Sequence, residues 1–345
     1  MTQQQWERLL AVVRNRKQPD VAVALIADSP SIPGLTGVTT MDYLCNQEAW
    51  LRANLAVMQR FPDVIFLPGT WVEYGVAIEP SAFGCPLKWS QTGPPAAMPI
   101  LAEASDVAKL SLPNPEVDGL MPVTLEWQRN MRSRLADHGQ VVKIVTARGP
   151  LAIASQVRGV TNLLMDIKVE PEAAKDLIEL CCQTAIMWLR AQSEVYDEVE
   201  AVELHDDIVG MLSPNDYEEF AHPYLERIFS AFPEHVHIYH NDMPGIRFVN
   251  RLADAGMDVF NFSHLLDISE VDSAIGDRVC LMGNVAPIDV LVHETPEQVL
   301  ASAEACMSSV RGGLLLSAGG GLSPGVKPEN IDALVEAAAR HCITV

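Results

Sequence analysis

The chain has 345 residues, 48% of them hydrophobic and 20% charged, with a formal net charge of −21. That length suits two ordinary domains or one barrel, and the composition excludes a disordered chain. So acidic a surface repels phosphate backbones and anionic lipid heads, which argues against nucleic-acid and membrane partners; its plain consequence is solubility.

The chain opens on MTQQQWERLLAVVRNRKQPD, an amphipathic helical pattern. It has neither a basic stretch leading into an apolar run nor an apolar run of bilayer length, so neither a signal peptide nor a membrane span is expected. Val21 to Ile26 is a candidate strand, followed by Val64 to Leu67, Val141 to Thr146, Glu200 to His205 and His235 to His240. Met257 to Phe262, Val279 to Gly283 and Gly313 to Ser317 complete the set. Between them lie helical stretches at Glu170 to Val195, Ser213 to Phe232 and Lys327 to His341. Ser213 reads as an N-cap with Pro214 in the first turn. Pro328 and Glu329 open the last helix, and Arg340 and His341 suit its C-terminal dipole.

Strand–helix alternation on this scale implies a parallel sheet. Seven or eight such units without a glycine fingerprint favour an α/β fold closed as a distorted (β/α)8 TIM-type barrel. We expect a single domain over residues 1–345, with 1–60 forming a helical and irregular extension packed on the barrel. No GxGxxG or Walker sequence follows any strand, so a nucleotide cofactor has no support. The seven cysteines are Cys45, Cys85, Cys181, Cys182, Cys280, Cys306 and Cys342. Their odd number and the lack of a CxxC pair argue against a disulfide framework and for a reduced, cytoplasmic protein.

Chemistry in such barrels sits where strands end. Here those ends hold Trp71 with Glu73, Arg148, His205-Asp206-Asp207, His240-Asn241-Asp242, Ser263-His264, Asn284 and Gly319-Gly320-Gly321. Two of them combine histidine with carboxylate. Residues two apart on a strand share a face. Val202 and Leu204 therefore form one face of their strand, and Glu203, His205 and Asp207 the other. His240 and Asp242 likewise share a face with Val236 and Ile238. His235 and His237 fall opposite, Cys280 reads as core and Cys85 as structural.

From Val195 onward the chain resembles the uroporphyrinogen decarboxylase-like superfamily. The resemblance lies in LHDDIVGMLSPNDYEEFAHPYLERI, HIYHND, LADAGMDVFNF, GDRVCLMGNVAPIDVL, ETPEQVLASAEACM and GGLLLSAGGGLSPGVKPENIDALVEAA. A weaker likeness reaches back to Pro62 and includes ARGPLAIASQVRG. It implies a distorted (β/α)8 barrel but leaves the chemistry open, because one fold serves several reactions.

The decarboxylases of this superfamily clamp their substrate's carboxylates with an arginine-rich R-Q-A-G-R segment. The corresponding stretch here, ALIADSPSIPGLTGVTTMDY, has no arginine, and none occurs between Arg16 and Arg52. A substrate with eight carboxylates needs cationic partners. No aspartate follows Asp63 at the end of the second strand, where the decarboxylases' catalytic aspartate would stand; Glu73 and Glu79 are the nearest acids. Their late Gly-His-Gly is Gly319-Gly320-Gly321.

The zinc methyltransferase branch is the better match. It binds zinc with His-x-Cys at a central strand end and a cysteine in the late glycine segment, and exchanges methyl groups with the cobalt of a separate corrinoid protein. His240 matches its histidine, while Asp242 and Gly320 stand at the two thiolate positions. With both thiolates gone, the strand-end residues offer a substitute in which His240, Asp242 and one of Glu203 or His205 are expected to form a hard-ligand zinc site with an open position.

On this reading His240, Asp242 and His205 are the catalytic candidates. Trp71, Glu73, Arg148, Asp206, Asp207 and Asn284 are the substrate-binding candidates, and Trp71, Tyr74 and Trp89 can frame an aromatic substrate. The expected activity is methyl transfer between a small, methoxylated molecule and cobalamin carried by a partner, since no D-x-H-x-x-G occurs in the chain. Three alternatives stand beside it: a metal-free organic pocket lined by the same residues, a decarboxylase, and a non-catalytic ligand-binding relative. His264, after another strand, is a spare ligand candidate whose plainer reading is a hydrogen-bonding histidine.

Overall fold

The structure, a computed structural model, describes residues 1–17 and 19–344, without the side chains of 342–344; Gln18 of the opening pattern and the Cys342 thiol lie outside the described residues. Eight parallel strands form one sheet: β1 (Val21–Ile26), β2 (Val64–Leu67), β3 (Ile144–Arg148), β4 (Ala201–His205), β5 (Val236–Asn241), β6 (Val259–Phe262), β7 (Cys280–Val285) and β8 (Leu314–Ala318). The hydrogen-bonded order is β2-β1-β8-β7-β6-β5-β4-β3, so the sheet curls into a nearly closed (β/α)8 barrel open between β2 and β3. Residues 1–60 do not lie wholly outside the barrel, because β1 is one of its staves. All six β1 side chains are buried, as a strand covered on both faces requires.

Alternation along the strands splits the core in two. Ala22, Ala24, Ile65, Ile144, Ala201, Ile238, Val259, Cys280, Met282 and Leu315 fill the lumen. Their neighbours of opposite parity, including Val202, Leu204, Tyr239, Phe260 and Leu281, pack under the surrounding helices. The helix Gln3–Arg14 joins the lumen group through Trp6, Leu9, Leu10, Val12 and Val13, and so plugs the N-terminal end of the barrel. Thr2 and Gln5 cap that helix reciprocally, and Trp6 Nε1 donates to Glu200 at 3.0 Å. Buried Lys143, just before β3, takes up the same Glu200 and Glu198 at 2.7 Å each.

The bottom of the barrel is thus closed by apolar packing, and the polar strand ends are left for the top. Ser213 caps its helix by accepting from the Asp216 amide. The expected helix Ser213 to Phe232 is two, Pro214–Phe220 and His222–Ser230. Pro223 has no N–H to carry the ladder through Ala221. A short hairpin, Leu87–Lys88 with Ala96–Ala97, interrupts the long segment between β2 and β3.

Candidate active site

Register decides which strand ends meet. Arg148 pairs with His205, His205 with His240, and His240 with Asn261, giving a row of four side chains on lumen parity across β3 to β6. Below it, Thr146 pairs with Glu203 and Glu203 with Ile238. The first polar layer therefore sits directly on the apolar lumen.

The β4 and β5 ends are buttoned together. Asp206 N donates to His240 O at 3.1 Å, and Tyr239 Oη and Asn241 Nδ2 donate to Asp206 O at 3.2 and 2.6 Å. The chain then turns at once into a 3-10 helix, Asp207–Met211. This folds Asp207 back over β5, where its Oδ1 accepts from the Asp242 amide at 3.1 Å and stands 3.6 Å from His240 Nε2. The donor atoms of Asp207, His240 and Asp242 all lie within 4.8 Å of one another. Burial and the neighbouring Asp207 charge raise the Asp242 carboxyl above its usual range, against the pull of His240 and His264.

His240 is held in one tautomer. Asn261 Nδ2 donates to Met282 O at 3.0 Å and to Ala318 O at 3.1 Å, which leaves Asn261 Oδ1 as an acceptor. His240 Nδ1 must then carry the proton in their 2.7 Å hydrogen bond. Nε2 is thus the ring nitrogen left to face the carboxylate oxygen of Asp207, and a proton or a cation between the two satisfies both. An N/O/O set with a backed imidazole fits a zinc-type ion. Gly320 belongs to this cluster by position: at its φ of +126° an added Cβ would come within 3.0 Å of Asp242 Oδ2. Gly320, the position where the resemblance to the zinc methyltransferases would place a cysteine, is thus the place Asp242 approaches.

Glu203 and His205 are not part of that cluster but pair with each other, Glu203 Oε1 to His205 Nε2 at 2.9 Å. The residue that joins His240 and Asp242 is therefore Asp207, in place of the expected Glu203 or His205. Glu203 is fully buried and its Oε2 has no partner. Loss of solvent pushes its carboxyl up to about 7, although His240 and Arg148 act the other way. Burial, together with the positive fields of His240 and Arg148, holds His205 well below the usual imidazole range despite Asp207.

The remaining candidates divide. Trp71 lies against His205, ring centres 5.6 Å apart, and the Arg148 guanidinium stands over its indole at 5.4 Å. Glu73 faces inward but is engaged, accepting from the Ser29 and Gly75 amides. Asp206 turns away from the lumen and accepts from Leu151 N at 3.0 Å, capping the helix Pro150–Arg158. Gly149 leaves it room, because a Cβ there would fall 2.3 Å from Asp206 Oδ2. Asn284, on lumen parity by alternation, instead bonds Leu266 O at 2.9 Å and the Cys306 thiol at 3.5 Å on the helix side. Tyr74 packs in the outer core and Trp89 is exposed.

His237 is tied to Gly256 O and Phe232 O outside the lumen. Cys280 is lumen core and Cys85 is buried. One further acid belongs to the site's surroundings: Asp28, just past β1, is pushed up to about 8 by lost solvation and by Glu73, with Arg148 opposing. Its only sequence signal is its place at a strand end.

These features define a (β/α)8-barrel protein whose candidate site lies at the carboxyl ends of its central strands, with a cluster of one histidine and two carboxylates on one wall. The chain belongs to the uroporphyrinogen decarboxylase family, whose model, "Uroporphyrinogen decarboxylase (URO-D)", matches residues 5–341. It is 27% identical to the uroporphyrinogen decarboxylase of Thioalkalivibrio sulfidiphilus over 313 residues, covering 86% of this chain and 85% of the relative. It is also 27% identical to that of Chlorobaculum tepidum over 252 residues, 69% and 70% of the two chains. Among solved structures, a methyltransferase from Methanosarcina mazei superposes with a TM-score of 0.81 at 19% identity, covering 96% of this chain and 97% of that one. A B12-independent methionine synthase from Shewanella sp. W3-18-1 follows at 0.60 and 11%, covering 95% and 99%. At these identities the structural likeness establishes the barrel. Family members and structural neighbours alike are enzymes. No helix among the described residues is long and apolar enough to cross a membrane.

Proposed function

We propose that this protein is a methyl-transferring member of the family, exchanging a methyl group between a small methoxylated substrate and cobalamin carried by a separate corrinoid protein. Asp207, His240 and Asp242 would hold a zinc ion, and the observation that carries the reading is the convergence of their ligand atoms within 4.8 Å of one another, with His240 Nε2 3.6 Å from Asp207 Oδ1. A zinc ion bound there would supply Lewis acidity to a substrate oxygen, easing its departure from the methyl carbon. Asn261 keeps His240 in the ligating tautomer. Trp71 and His205, their rings tilted by 38°, line the wall beside the cluster. Glu203 fixes the His205 ring through Nε2. The six free cysteines among the described residues agree with a reduced, cytoplasmic setting.

The curated relatives' names favour a second reading, tetrapyrrole decarboxylation. Against it stands the segment after β1, which offers Asp28 and no arginine to a polycarboxylate. The two readings separate in one experiment. Purified protein with zinc, reduced cobalamin and a panel of aryl methyl ethers should form methylcobalamin, seen by its absorbance, while uroporphyrinogen stays intact by chromatography. Turnover of uroporphyrinogen without methyl transfer would reverse the assignment.

A further inference from the structure

From Arg148 to the proposed metal cluster runs a file of planar groups. The Arg148 guanidinium lies 5.4 Å over Trp71, Trp71 lies 5.6 Å from His205, and His205 lies 4.7 Å from His240. Arg148 is a half-buried cation at a strand end with no acid on its guanidinium; Nε and Nη2 both donate to Gly75 O, and Nη1 has no protein partner. Three of the acids around it are otherwise engaged. Glu79 accepts from the Arg148 backbone amide, Glu73 accepts from two other amides, and Glu203 is paired with His205.

We infer that the substrate carries a carboxylate, received by Arg148, on a planar ring laid along Trp71 and His205 with its methoxy oxygen toward Asp207, His240 and Asp242. This rests on the methyl-transfer reading for the methoxy group, but the carboxylate assignment stands on Arg148 alone. An unpaired guanidinium presenting free N–H groups beside an aromatic face is suited to a carboxylate on a flat body. Asp28 adds to this, because a carboxyl raised to about 8 keeps its proton at neutral pH and can donate beside the arginine.

Spacing agrees as well. Arg148 and His240 stand two strands apart, about 10 Å between their backbones, so their side chains bracket a small molecule and not a macrocycle. The substrate class is thus a methoxybenzoate-like monocarboxylate, far smaller than a tetrapyrrole and needing one arginine where a polycarboxylate needs several.

The test is calorimetric binding of 4-methoxybenzoate and 4-methoxybenzamide to the full-length protein and to Arg148→Met and Arg148→Lys. The native protein should prefer the carboxylate roughly 10- to 100-fold, the value of a charged hydrogen bond. Arg148→Met, checked for a native circular dichroism spectrum, should lose that preference by weakening the benzoate alone, and Arg148→Lys should keep part of it. Equal binding of both ligands by the native protein, no benzoate binding, a preference surviving in Arg148→Met, or tighter binding of trimethylanilinium would overturn the inference. Carboxylate bound through Arg148 but never demethylated would instead sink the methyl-transfer reading and leave this one standing.

Discussion

His240 donates from Nδ1 to Asn261 Oδ1 at 2.7 Å, and Asn261 can accept only there because its amide nitrogen is committed to two backbone carbonyls. One amide thus sets the chemistry of the opposite ring nitrogen. Asn261→Leu should remove the tautomer lock and weaken zinc binding by about 10- to 100-fold, read by competition with a chromophoric chelator. The carbonyls of Met282 and Ala318 would lose their donor, so a stability loss of about 1–3 kcal/mol should accompany it. Unchanged affinity in a folded Asn261→Leu protein would mean that His240 is not a ligand.

Glu203 yields a pH signature. Its carboxyl titrates near 7 in the folded chain against 4.5 for an unperturbed group. Below about pH 4.5 both states hold the proton and there is no penalty. As pH rises through that value the unfolded chain ionises first, and stability falls until the folded group titrates near 7, a loss on the order of 3 kcal/mol. Glu203→Gln imitates the protonated form, so in chelator-treated protein it should gain stability over wild type at pH 8 and gain nothing at pH 4.5. Urea unfolding at both values checks this. A gain that is the same at both would show that Glu203 is not a titrating buried acid.

Asp206 sits between two candidate site residues in sequence yet serves the scaffold. Removing its cap on Pro150–Arg158 by Asp206→Ala should cost about 1–2 kcal/mol, while Asp206→Asn, which still accepts, should stay near wild type. Ligand affinity should be the same in all three. A large change in ligand affinity with unchanged stability would return Asp206 to the site.

Much of the site is legible in the sequence. Alternation in EAVELHDD and HVHIYHND puts Glu203, His205 and His240 on the inner faces, because period-two patterning is a local property of a strand, and carried past the strand ends it points Asp207 and Asp242 inward as well. Beyond a strand's last residue that periodicity does not decide which side chains meet. Asp207 reaches His240 only because the chain turns into a 3-10 helix one residue after β4 ends, while His205 is captured by Glu203 on its own strand. Asp206 and Asn284 depart from the expected pocket for a related reason, since their side chains are claimed by a helix N-terminus and a neighbouring loop. Asp28 hides in ADSP, which reads as an ordinary turn until β1 is known to be a stave. The N-terminal pattern shows as an amphipathic helix, but not that its apolar face plugs the lumen.

Zinc stoichiometry across four proteins tests the central claim most directly. Wild type and Glu203→Gln should each bind about one zinc per chain after equilibration and gel filtration. Affinity should fall as pH drops, because Asp207, Asp242 and His240 must all be deprotonated to ligate. His240→Ala and Asp207→Ala should elute with none while keeping the wild-type circular dichroism spectrum. Zinc retained at full stoichiometry by both of those variants, or absent from the wild type at saturating metal, would contradict the account and leave the cluster as the lining of an organic-substrate pocket.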